Sequence, residues 1–255
     1  MKNLFDLQGS VALVTGGGQG LGRAIAEGLA AYGAVVSVVD IDLGAAKRIA
    51  DAISREGGQA SAVQCDVSRQ DQAEAAVNQT LASFGKIDIL VANAGIGDRS
   101  PAETMTIEQW DRVIGINLRG VWLFDQAVGK HMLERRQGSI INMASIAGQV
   151  GLTTGNANYA ASKGGVIALT RTLAIEWATR GVRVNAIAPT HFKTPLVAAA
   201  IERNPAVLDY FLGNIPMGRL GEPQEIVGAA VFLASPASSM VTGHVLNVDG
   251  GHTAR

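Results

Sequence analysis

The sequence contains little cysteine and no excess of charge of either sign. Cys65 is the single cysteine among 255 residues, so no disulfide can form within the chain and a reducing compartment is expected. Lysine and arginine number 21 against 22 aspartate and glutamate residues, which gives a formal net charge of −1. Because nucleic-acid-binding domains carry a basic excess, this balance argues against a nucleic-acid partner.

Long apolar runs are also missing. No uninterrupted apolar stretch reaches the roughly 18 residues that span a bilayer, and the first ten residues hold no apolar signal segment. We therefore expect a cytoplasmic protein with no membrane partner. Hydrophobic residues make up 47% of the chain and charged residues 17%, a composition that can bury a large core in one domain over 1–255.

The sequence does contain a regular alternation of short apolar runs with longer helical patterns. The short runs are rich in β-branched residues and apolar throughout, which is typical of strands covered on both faces. They occupy residues 11–16, 34–40, 60–66, 87–95, 139–145, 182–189 and 245–251. The alternation predicts an α/β protein, a single-domain Rossmann fold whose doubly wound parallel seven-stranded sheet is flanked by helices on both faces. Residues 190–220 break the alternation and are predicted to form a helical substrate lid.

The segment TGGGQGLG at 15–22 follows the first predicted strand and precedes a helical pattern. In a dinucleotide-binding turn, glycines let the backbone approach a pyrophosphate at a helix N-terminus. The spacing of Gly16, Gly20 and Gly22 differs from the common G-x-G-x-x-G, and a purely structural loop is the alternative. We expect these glycines, with Gln19 and Leu21, to contact a cofactor.

Asp40 ends the second predicted strand about 20 residues beyond the turn, where an acidic side chain can bind the adenosine ribose hydroxyls. Its carboxylate would repel a 2′-phosphate, and the neighbouring Ile41 and Asp42 offer no cation. The sequence therefore predicts NAD rather than NADP, with Ile41 also at the cofactor. The alternative is that Asp40 caps a helix, a role that Asp42 could fill equally well.

Two further strand ends carry candidate cofactor residues. Asp66 can accept a hydrogen bond from an adenine amino group while Val67 lies against the ring, although Asp66 could instead cap the next helix. Asn93, Ala94 and Gly95 are small residues that leave room for a cofactor at the carboxyl edge of the sheet.

Four residues carry the groups that we expect to perform the chemistry. Ser145 ends the fifth predicted strand, and Tyr159 and Lys163 share one face of a helix because they lie four residues apart. A nearby ammonium lowers the pKa of a phenol from its usual value of about 10, which lets the phenol exchange a proton with an alcohol or a carbonyl. Asn117 is the fourth candidate, unless it is a solvent-facing helix residue. Each residue alone has an ordinary structural explanation, but their joint occurrence behind a dinucleotide turn favours a catalytic site.

In this order, and over essentially the whole chain, these motifs resemble the short-chain dehydrogenase/reductase family of the one-domain type. The resemblance implies that Tyr159 is the catalytic acid/base, that Lys163 lowers its pKa and binds the nicotinamide ribose, and that Ser145 positions the substrate oxygen. It implies that Asn117 supports a water in a proton relay. It also implies a homotetramer or a homodimer, and no metal requirement in most members.

The segment after the sixth predicted strand departs from the family pattern. The family carries Pro-Gly and then a Thr that contacts the nicotinamide carboxamide, whereas this chain has Pro189, Thr190 and, later, Thr194. If the backbone there needs a positive φ, Thr190 is strained and the loop is slightly re-aimed. We expect these three residues and Phe192 to contact the cofactor.

The substrate should be bound by Ser145, Tyr159, the loop at 146–156 and the segment after the sixth strand. Polar side chains in these segments suit a polyhydroxylated ligand, although they could simply be solvated. They are Gln149, Thr153, Thr154, Asn156, His191 and Lys193, of which Gln149, Asn156 and His191 are the predicted substrate residues.

The C-terminal part of the chain resembles dehydrogenases of sugar acids and sugar alcohols, such as gluconate dehydrogenases. This resemblance implies a small secondary alcohol or ketone as the substrate. Similar C-terminal segments occur in 3-oxoacyl-carrier-protein reductases, so reduction of a 3-oxoacyl group or another hydrophobic ketone is the alternative. A non-catalytic dinucleotide sensor is disfavoured because Tyr159 and Lys163 are both present.

Overall fold

A computed structural model describes residues 3–152 and 155–254 of the chain. Within these residues, seven parallel strands form one sheet in the order β3-β2-β1-β4-β5-β6-β7. The strands are β1 (Val11–Thr15), β2 (Val35–Asp40), β3 (Ala60–Gln64), β4 (Ile89–Ala92), β5 (Gly138–Met143), β6 (Val182–Pro189) and β7 (Val245–Val248). The predicted single-domain Rossmann fold is confirmed. Thr153 and Thr154, which we expect near the substrate, lie outside the described residues.

The helices alternate with the strands and cover both faces of the sheet. They are α1 (Gly20–Ala31), α2 (Leu43–Arg55), α3 (Gln70–Phe84), α4 (Ile107–Ile114), α5 (Gly120–Arg135), α6 (Ala157–Trp177), α7 (Pro195–Arg203), α8 (Ala206–Asn214) and α9 (Val227–Ala234). A π-helical turn, Gly115–Arg119, joins α4 to α5. None of the helices in the described ranges combines the length and the apolar character that crossing a bilayer requires.

Two hydrophobic cores lie on opposite faces of the sheet. On one face, α3, α5 and α6 pack against the strands, with Phe124 and Ala174 fully buried. On the other face, α1, α2 and α9 do the same, with Ile25 and Ala230 fully buried. Because the strands are covered on both sides, apolar side chains point to both faces of the sheet rather than to one.

The predicted runs extend past the ends of several strands. The fourth run covers 87–95, but β4 ends at Ala92, and the fifth run reaches Ser145 although β5 ends at Met143. These overhanging residues leave the sheet at its carboxyl edge. The order of the strands reverses between β1 and β4, which pair side by side, so a crevice opens there for a ligand.

Candidate active site

Three glycines shape the turn between β1 and α1. Gly16 and Gly20 have φ angles of 61° and 55°, a region that residues with side chains rarely adopt. A Cβ on Gly22 would lie 2.1 Å from the main-chain oxygen of Gly16, so no side chain fits there. The turn therefore brings the first amide groups of α1 to the crevice, where they can bind a phosphate.

Asn93 fastens this turn to the end of β4. Its Nδ2 donates to the main-chain oxygens of Thr15 and Gly16 at 3.0 and 3.2 Å. The main-chain amides of Asn93 and Ala94 donate to the Thr15 hydroxyl at 3.0 and 3.1 Å. The side chain of Asn93 therefore supports the shape of the cofactor turn, in addition to lining the cavity beside it.

The carboxylate of Asp40 lies directly beneath the glycine turn. Its Oδ2 accepts a hydrogen bond of 2.9 Å from the amide of Gly18, and its Oδ1 accepts one of 3.0 Å from the amide of Asp42. Helix α2 is capped instead by Asp42, whose carboxylate accepts from the amide of Ala45. The capping alternative for Asp40 is therefore wrong, and its acidic group lines the cofactor crevice.

A cavity of about 290 Å³ runs along the crevice and gathers nearly all of the predicted cofactor residues. It is lined by Gly16, Gln19, Gly20, Leu21, Gly22, Asp40, Ile41, Asp66, Val67, Asn93, Ala94, Gly95, Tyr159, Lys163, Pro189 and Thr194. Apolar residues that the sequence did not assign to the cofactor complete it, among them Cys65, Ile96, Ile116 and Met143. They carry no distinguishing signal in the sequence, because they resemble ordinary core residues.

Asp66 does not cap the helix that follows it. Its Oδ1 accepts hydrogen bonds from the amide and the hydroxyl of Ser68 at 3.0 and 2.7 Å. Helix α3 has Arg69 at its N-cap, with no side-chain capping bond. Asp66 thus closes a turn at the edge of the cavity. Beside it, burial raises the pKa of the Cys65 thiol to about 12, so this thiol is neutral.

Thr190 and Phe192 do not line the cofactor cavity, contrary to expectation. Phe192 is 3% exposed and packs in the core beside α1 and α9, where its ring takes the space that a Cβ on Gly221 would need. Thr190 is not strained either, because Arg136 is the sole non-glycine residue with a positive φ in the described ranges. Both residues instead border an adjacent cavity.

Tyr159 and Lys163 lie one turn apart on α6, with Ser145 opposite them at the end of β5. The side chain of Ser145 acts on the phenol of Tyr159, whose pKa it lowers, and its hydroxyl accepts from the amide of Ala147 at 3.2 Å. Lys163 is 3% exposed, and its ammonium donates to the main-chain oxygen of Met143 at 2.6 Å. Burial lowers the pKa of Lys163 to about 8, so the side chain still carries its charge at neutral pH.

The pKa of Tyr159 differs from the expectation. Burial raises it, and the hydrogen bond from Ser145 and the positive charge of Arg99 oppose this rise without reversing it. Arg99, from the loop after β4, is thus a cation that favours the phenolate and that the spacing of Tyr159 and Lys163 did not indicate. The i, i+4 spacing predicts that a nearby charge lowers the pKa of the phenol, but desolvation of the phenol raises this pKa by more.

Asn117 is fully buried, so the solvent-facing alternative is wrong. It lies in the π-helical turn, where its Oδ1 accepts from the amide of Ile96 and its Nδ2 donates to the oxygen of Ile96, both at 2.9 Å. Its Nδ2 also lies 3.3 Å from the hydroxyl of Ser162 on α6. The side chain thus joins the loop after β4 to the helix that carries Tyr159.

A second cavity of about 580 Å³ meets the cofactor cavity at Tyr159, which lines both. Ser145, Asn156 and His191 also line it, together with residues of α7 and α8. Gln149 does not, because its amide donates to Oδ1 of Asn247 near the end of β7 at 2.7 Å.

Comparison with known proteins agrees with this geometry. A family model described as enoyl-(acyl carrier protein) reductase matches residues 16–253. The chain belongs to the short-chain dehydrogenase/reductase family. It is therefore an oxidoreductase that acts on hydroxyl or keto groups with a nicotinamide cofactor.

Individual members of the family are similar over almost their whole length. The 5-keto-D-gluconate 5-reductase of Escherichia coli K12 is 42% identical over 98% of this chain and 98% of its own. The D-threitol dehydrogenase of Mycolicibacterium smegmatis is 44% identical over 98% and 95%. A 3-oxoacyl-[acyl-carrier-protein] reductase of Synechocystis is 43% identical over 96% and 97%. The crystal structure of a gluconate 5-dehydrogenase from Burkholderia cenocepacia, in complex with NADP and tartrate, superposes with a TM-score of 0.94 at 39% identity, over 99% and 98% of the two chains.

In this member of the family, His191 is a neutral residue of the second cavity. Its ring is stacked on Phe211 with centroids 3.6 Å apart. Its Nδ1 lies 3.3 Å from the hydroxyl of Thr190, which is also 3.2 Å from Nδ1 of His252. Burial lowers the pKa of His191 to about 3, so it can form hydrogen bonds with a ligand but does not act as a cation.

Two arginines that the sequence did not predict as site residues line the second cavity. Arg99 lies in the loop after β4, and Arg203 is the last residue of α7. Single arginines in a loop and at a helix end carry no motif or spacing signal. By contrast, Lys193, which the sequence offered as a polar group near the substrate, is ion-paired with Glu222.

Proposed function

We propose that this chain is an NAD-dependent dehydrogenase that interconverts a secondary alcohol and its ketone in a small hydroxy compound, a sugar acid or a polyol. The observation that carries the proposal is the position of Tyr159. Tyr159 lines both the cofactor cavity and the second cavity, and Ser145, which lowers the pKa of its phenol, lines the second cavity beside it. A proton acceptor and a second hydroxyl are thus held where a substrate oxygen would lie beside the cofactor.

Each of the four predicted catalytic residues has a role in this proposal. Ser145 holds the substrate oxygen, and Tyr159 takes the hydroxyl proton during oxidation and returns it during reduction. Lys163 uses one donor on Met143, which leaves two for the ribose hydroxyls of the cofactor. Asn117 holds the loop after β4 against α6 and supports the proton relay. When bound, the nicotinamide accepts or supplies the hydride.

The choice of NAD is supported by the charges around Asp40. Lys163 is the one cation among the described residues that line the cofactor cavity, and it lies at the opposite end, beside Tyr159. A 2′-phosphate next to Asp40 would therefore meet a carboxylate and no compensating charge. The related gluconate 5-dehydrogenase was crystallised with NADP, so both cofactors must be tested. The test is to measure kcat/KM for NAD and for NADP with the same substrate. A clear preference for NADP would reject this part of the proposal.

The substrate class is supported by the relatives and by the second cavity. The relatives named for 5-keto-D-gluconate and D-threitol are matched along almost the entire chain. The cavity adds the hydrogen-bonding groups of Ser145, Asn156 and His191. The test is NAD reduction with sugar acids, polyols, hydroxy acids and simple secondary alcohols. Turnover of simple alcohols alone would contradict the proposed class.

A second candidate is a 3-oxoacyl reductase, favoured by the similarity to the Synechocystis enzyme. It predicts reduction of an acetoacetyl thioester with a higher kcat/KM than that of any keto sugar acid. The same assay plate, run in the reductive direction with NADH and NADPH, separates the two candidates.

We also propose a cytoplasmic homotetramer or homodimer. Trp122 on α5 and Ile175 on α6 are 38% and 79% exposed, and burial of such side chains between subunits would be favourable. The free thiol of Cys65 agrees with a reducing compartment. Light scattering after size exclusion measures the mass of the assembly, and a monomeric mass near 26.4 kDa would reject it.

A further inference from the structure

The second cavity carries an uncompensated positive charge. Among the described residues that line it, Arg99 and Arg203 are the two with a full charge, and no aspartate or glutamate accompanies them. The chain as a whole is slightly acidic, with a formal net charge of −1. The chain has almost equal numbers of basic and acidic residues, so two guanidinium groups without a carboxylate in one cavity differ from the composition of the chain as a whole.

Arg99 is half-buried and has no anionic partner. No carboxylate of the described residues lies within 4.0 Å of its guanidinium, and the neighbouring Asp98 is paired with Arg112 instead. Its guanidinium carbon lies 5.6 Å from the centroid of the Phe211 ring, which supports one face of the planar group. Burial and the positive charge of Arg203 both lower its pKa, which indicates that the two cations are close enough to repel each other.

Arg203 comes from a different element. It ends α7, whereas Arg99 lies in the loop that Asn117 ties to the rest of the fold. An anion between the two guanidinium groups would remove their repulsion and could accept paired hydrogen bonds from each planar fork. It would also hold the end of α7 against that loop.

We propose that Arg99 and Arg203 form a carboxylate subsite, so that the preferred substrate is a hydroxy acid rather than a neutral polyol. This inference rests on the proposed function and narrows its substrate class. Arg99 belongs to the fixed wall of the cavity, and Arg203 brings the second charge on α7. The carboxylate of the substrate thereby orients its carbon chain, with the reacting hydroxyl toward Tyr159 and Ser145.

The test compares D-gluconate with D-sorbitol, which share a six-carbon polyhydroxyl chain and differ in the carboxylate. The variants are Arg99→Gln, Arg203→Gln and Arg203→Lys, with Arg171→Gln on the exposed side of α6 as the matched control. Since a hydrogen bond to a charged group contributes about 1.5–3 kcal/mol, either Gln variant should raise KM for gluconate roughly 10- to 100-fold. KM for sorbitol should change less than about twofold, because the lost bonds are those to the carboxylate.

The two arginines should differ in one respect. Arg99 also acts on the pKa of Tyr159, so Arg99→Gln should lower kcat for both substrates at neutral pH. Arg203 does not act on the phenol, so Arg203→Gln should change KM for gluconate alone, and Arg203→Lys should restore part of the loss. An equal rise in KM for both substrates, or no change in KM for gluconate, would overturn the carboxylate subsite.

A binding measurement separates this inference from the proposed function. Calorimetric titration of D-gluconate and D-sorbitol into the NADH-saturated protein measures binding without turnover, because the reduced cofactor cannot accept a hydride. If the wild type binds gluconate more tightly than sorbitol and Arg203→Gln loses this difference, the subsite is supported. Should neither compound be oxidised in the activity assay, only the proposed reaction would be rejected. Equal affinity of the wild type for the two compounds would overturn the subsite even if both are oxidised.

Discussion

The ammonium nitrogen of Lys163 lies 5.8 Å from the centroid of the Tyr159 ring and is anchored by a 2.6 Å hydrogen bond to the main-chain oxygen of Met143. Lys163 is thus held by the end of β5, within the cofactor cavity, and not by the phenol. This arrangement separates a proton-transfer residue from a cofactor-holding residue on one helix.

The first prediction follows from this separation. Tyr159→Phe should lower kcat by at least about 10²-fold, since it removes the acid/base, while the affinity for NAD changes little. Lys163→Ala should lower both kcat and the affinity for NAD, because the cofactor cavity loses a buried cation that can donate hydrogen bonds. Steady-state rates and NADH fluorescence titration measure the two effects. A Tyr159→Phe enzyme that turns over at nearly the wild-type rate would exclude the phenol as the acid/base.

The second prediction concerns Ser145 and pH. Its hydrogen bond is the largest influence that lowers the pKa of Tyr159, so Ser145→Ala should raise that pKa further. Oxidation requires the phenolate, and its residual kcat/KM should therefore reach half of its maximum at a higher pH than in the wild type. Reduction requires the protonated phenol, and its profile should move in the same direction. Profiles that stay in place would show that Ser145 does not tune the phenol.

The third prediction concerns cofactor choice. Asp40→Ser together with Ile41→Arg replaces a carboxylate by a neutral group and adds a cation at the ribose end of the cavity. The ratio of kcat/KM for NADP to that for NAD should rise by about 10²-fold or more, as expected for the exchange of a repulsive for an attractive charge. Asp42→Ser, which retains a residue that can cap α2, should leave the ratio unchanged. An unchanged ratio in the double variant would show that Asp40 does not select NAD over NADP.

The fourth prediction concerns the glycine turn. A Cβ at position 22 would lie 2.1 Å from the oxygen of Gly16, so Gly22→Ala should displace the turn and weaken NAD binding at least about tenfold. Gly228→Ala on α9, where a Cβ meets no atom within 4 Å, should leave binding intact and slightly raise stability. Calorimetric titration of NAD and thermal denaturation measure both. Normal NAD affinity in Gly22→Ala would show that the turn is not the phosphate site.

The fifth prediction concerns a buried acid outside the active site. Asp125 is fully buried on α5, and its Oδ2 accepts a hydrogen bond of 3.0 Å from Asn142 on β5. In the described part of the chain, neither the Oδ1 of Asp125 nor that of Asn142 has a hydrogen-bond partner. Burial raises the pKa of Asp125 from 3.8 to about 8, because no cation compensates the carboxylate.

A raised pKa in the folded state makes stability depend on pH. The contribution of the protonated Asp125 is fully present below pH 3.8 and is lost progressively as the pH rises to about 8. Asp125→Asn keeps an acceptor for Asn142 but cannot ionise, so its melting temperature should exceed that of the wild type by several degrees at pH 8 and by much less at pH 5. A difference that is the same at both pH values would contradict the titration of Asp125.

The part of the site that the sequence predicts consists of local patterns. The glycine turn, the acid that ends β2 and the Tyr159–Lys163 pair are each set by spacing along a few turns of chain, and the structure gathers them around one cavity. The ends of the strands were harder to predict. The run that ends in Ser145 extends two residues beyond β5, because those residues are equally compatible with a strand. Residues whose role depends on what lies opposite them were predicted least well. Gln149 bonds Asn247, and Phe192 packs in the core.

The sequence by itself thus determined the fold class, the cofactor turn and the proton-transfer pair, because periodicity, glycine and i, i+4 spacing act over short distances. Only the tertiary structure decided which groups surround them. It buried Asn117 against Ile96, and it brought Arg99 and Arg203 into one cavity from elements about a hundred residues apart. It also reversed the expected shift of Tyr159, because desolvation depends on all neighbours of the phenol and not on the one nearest in sequence.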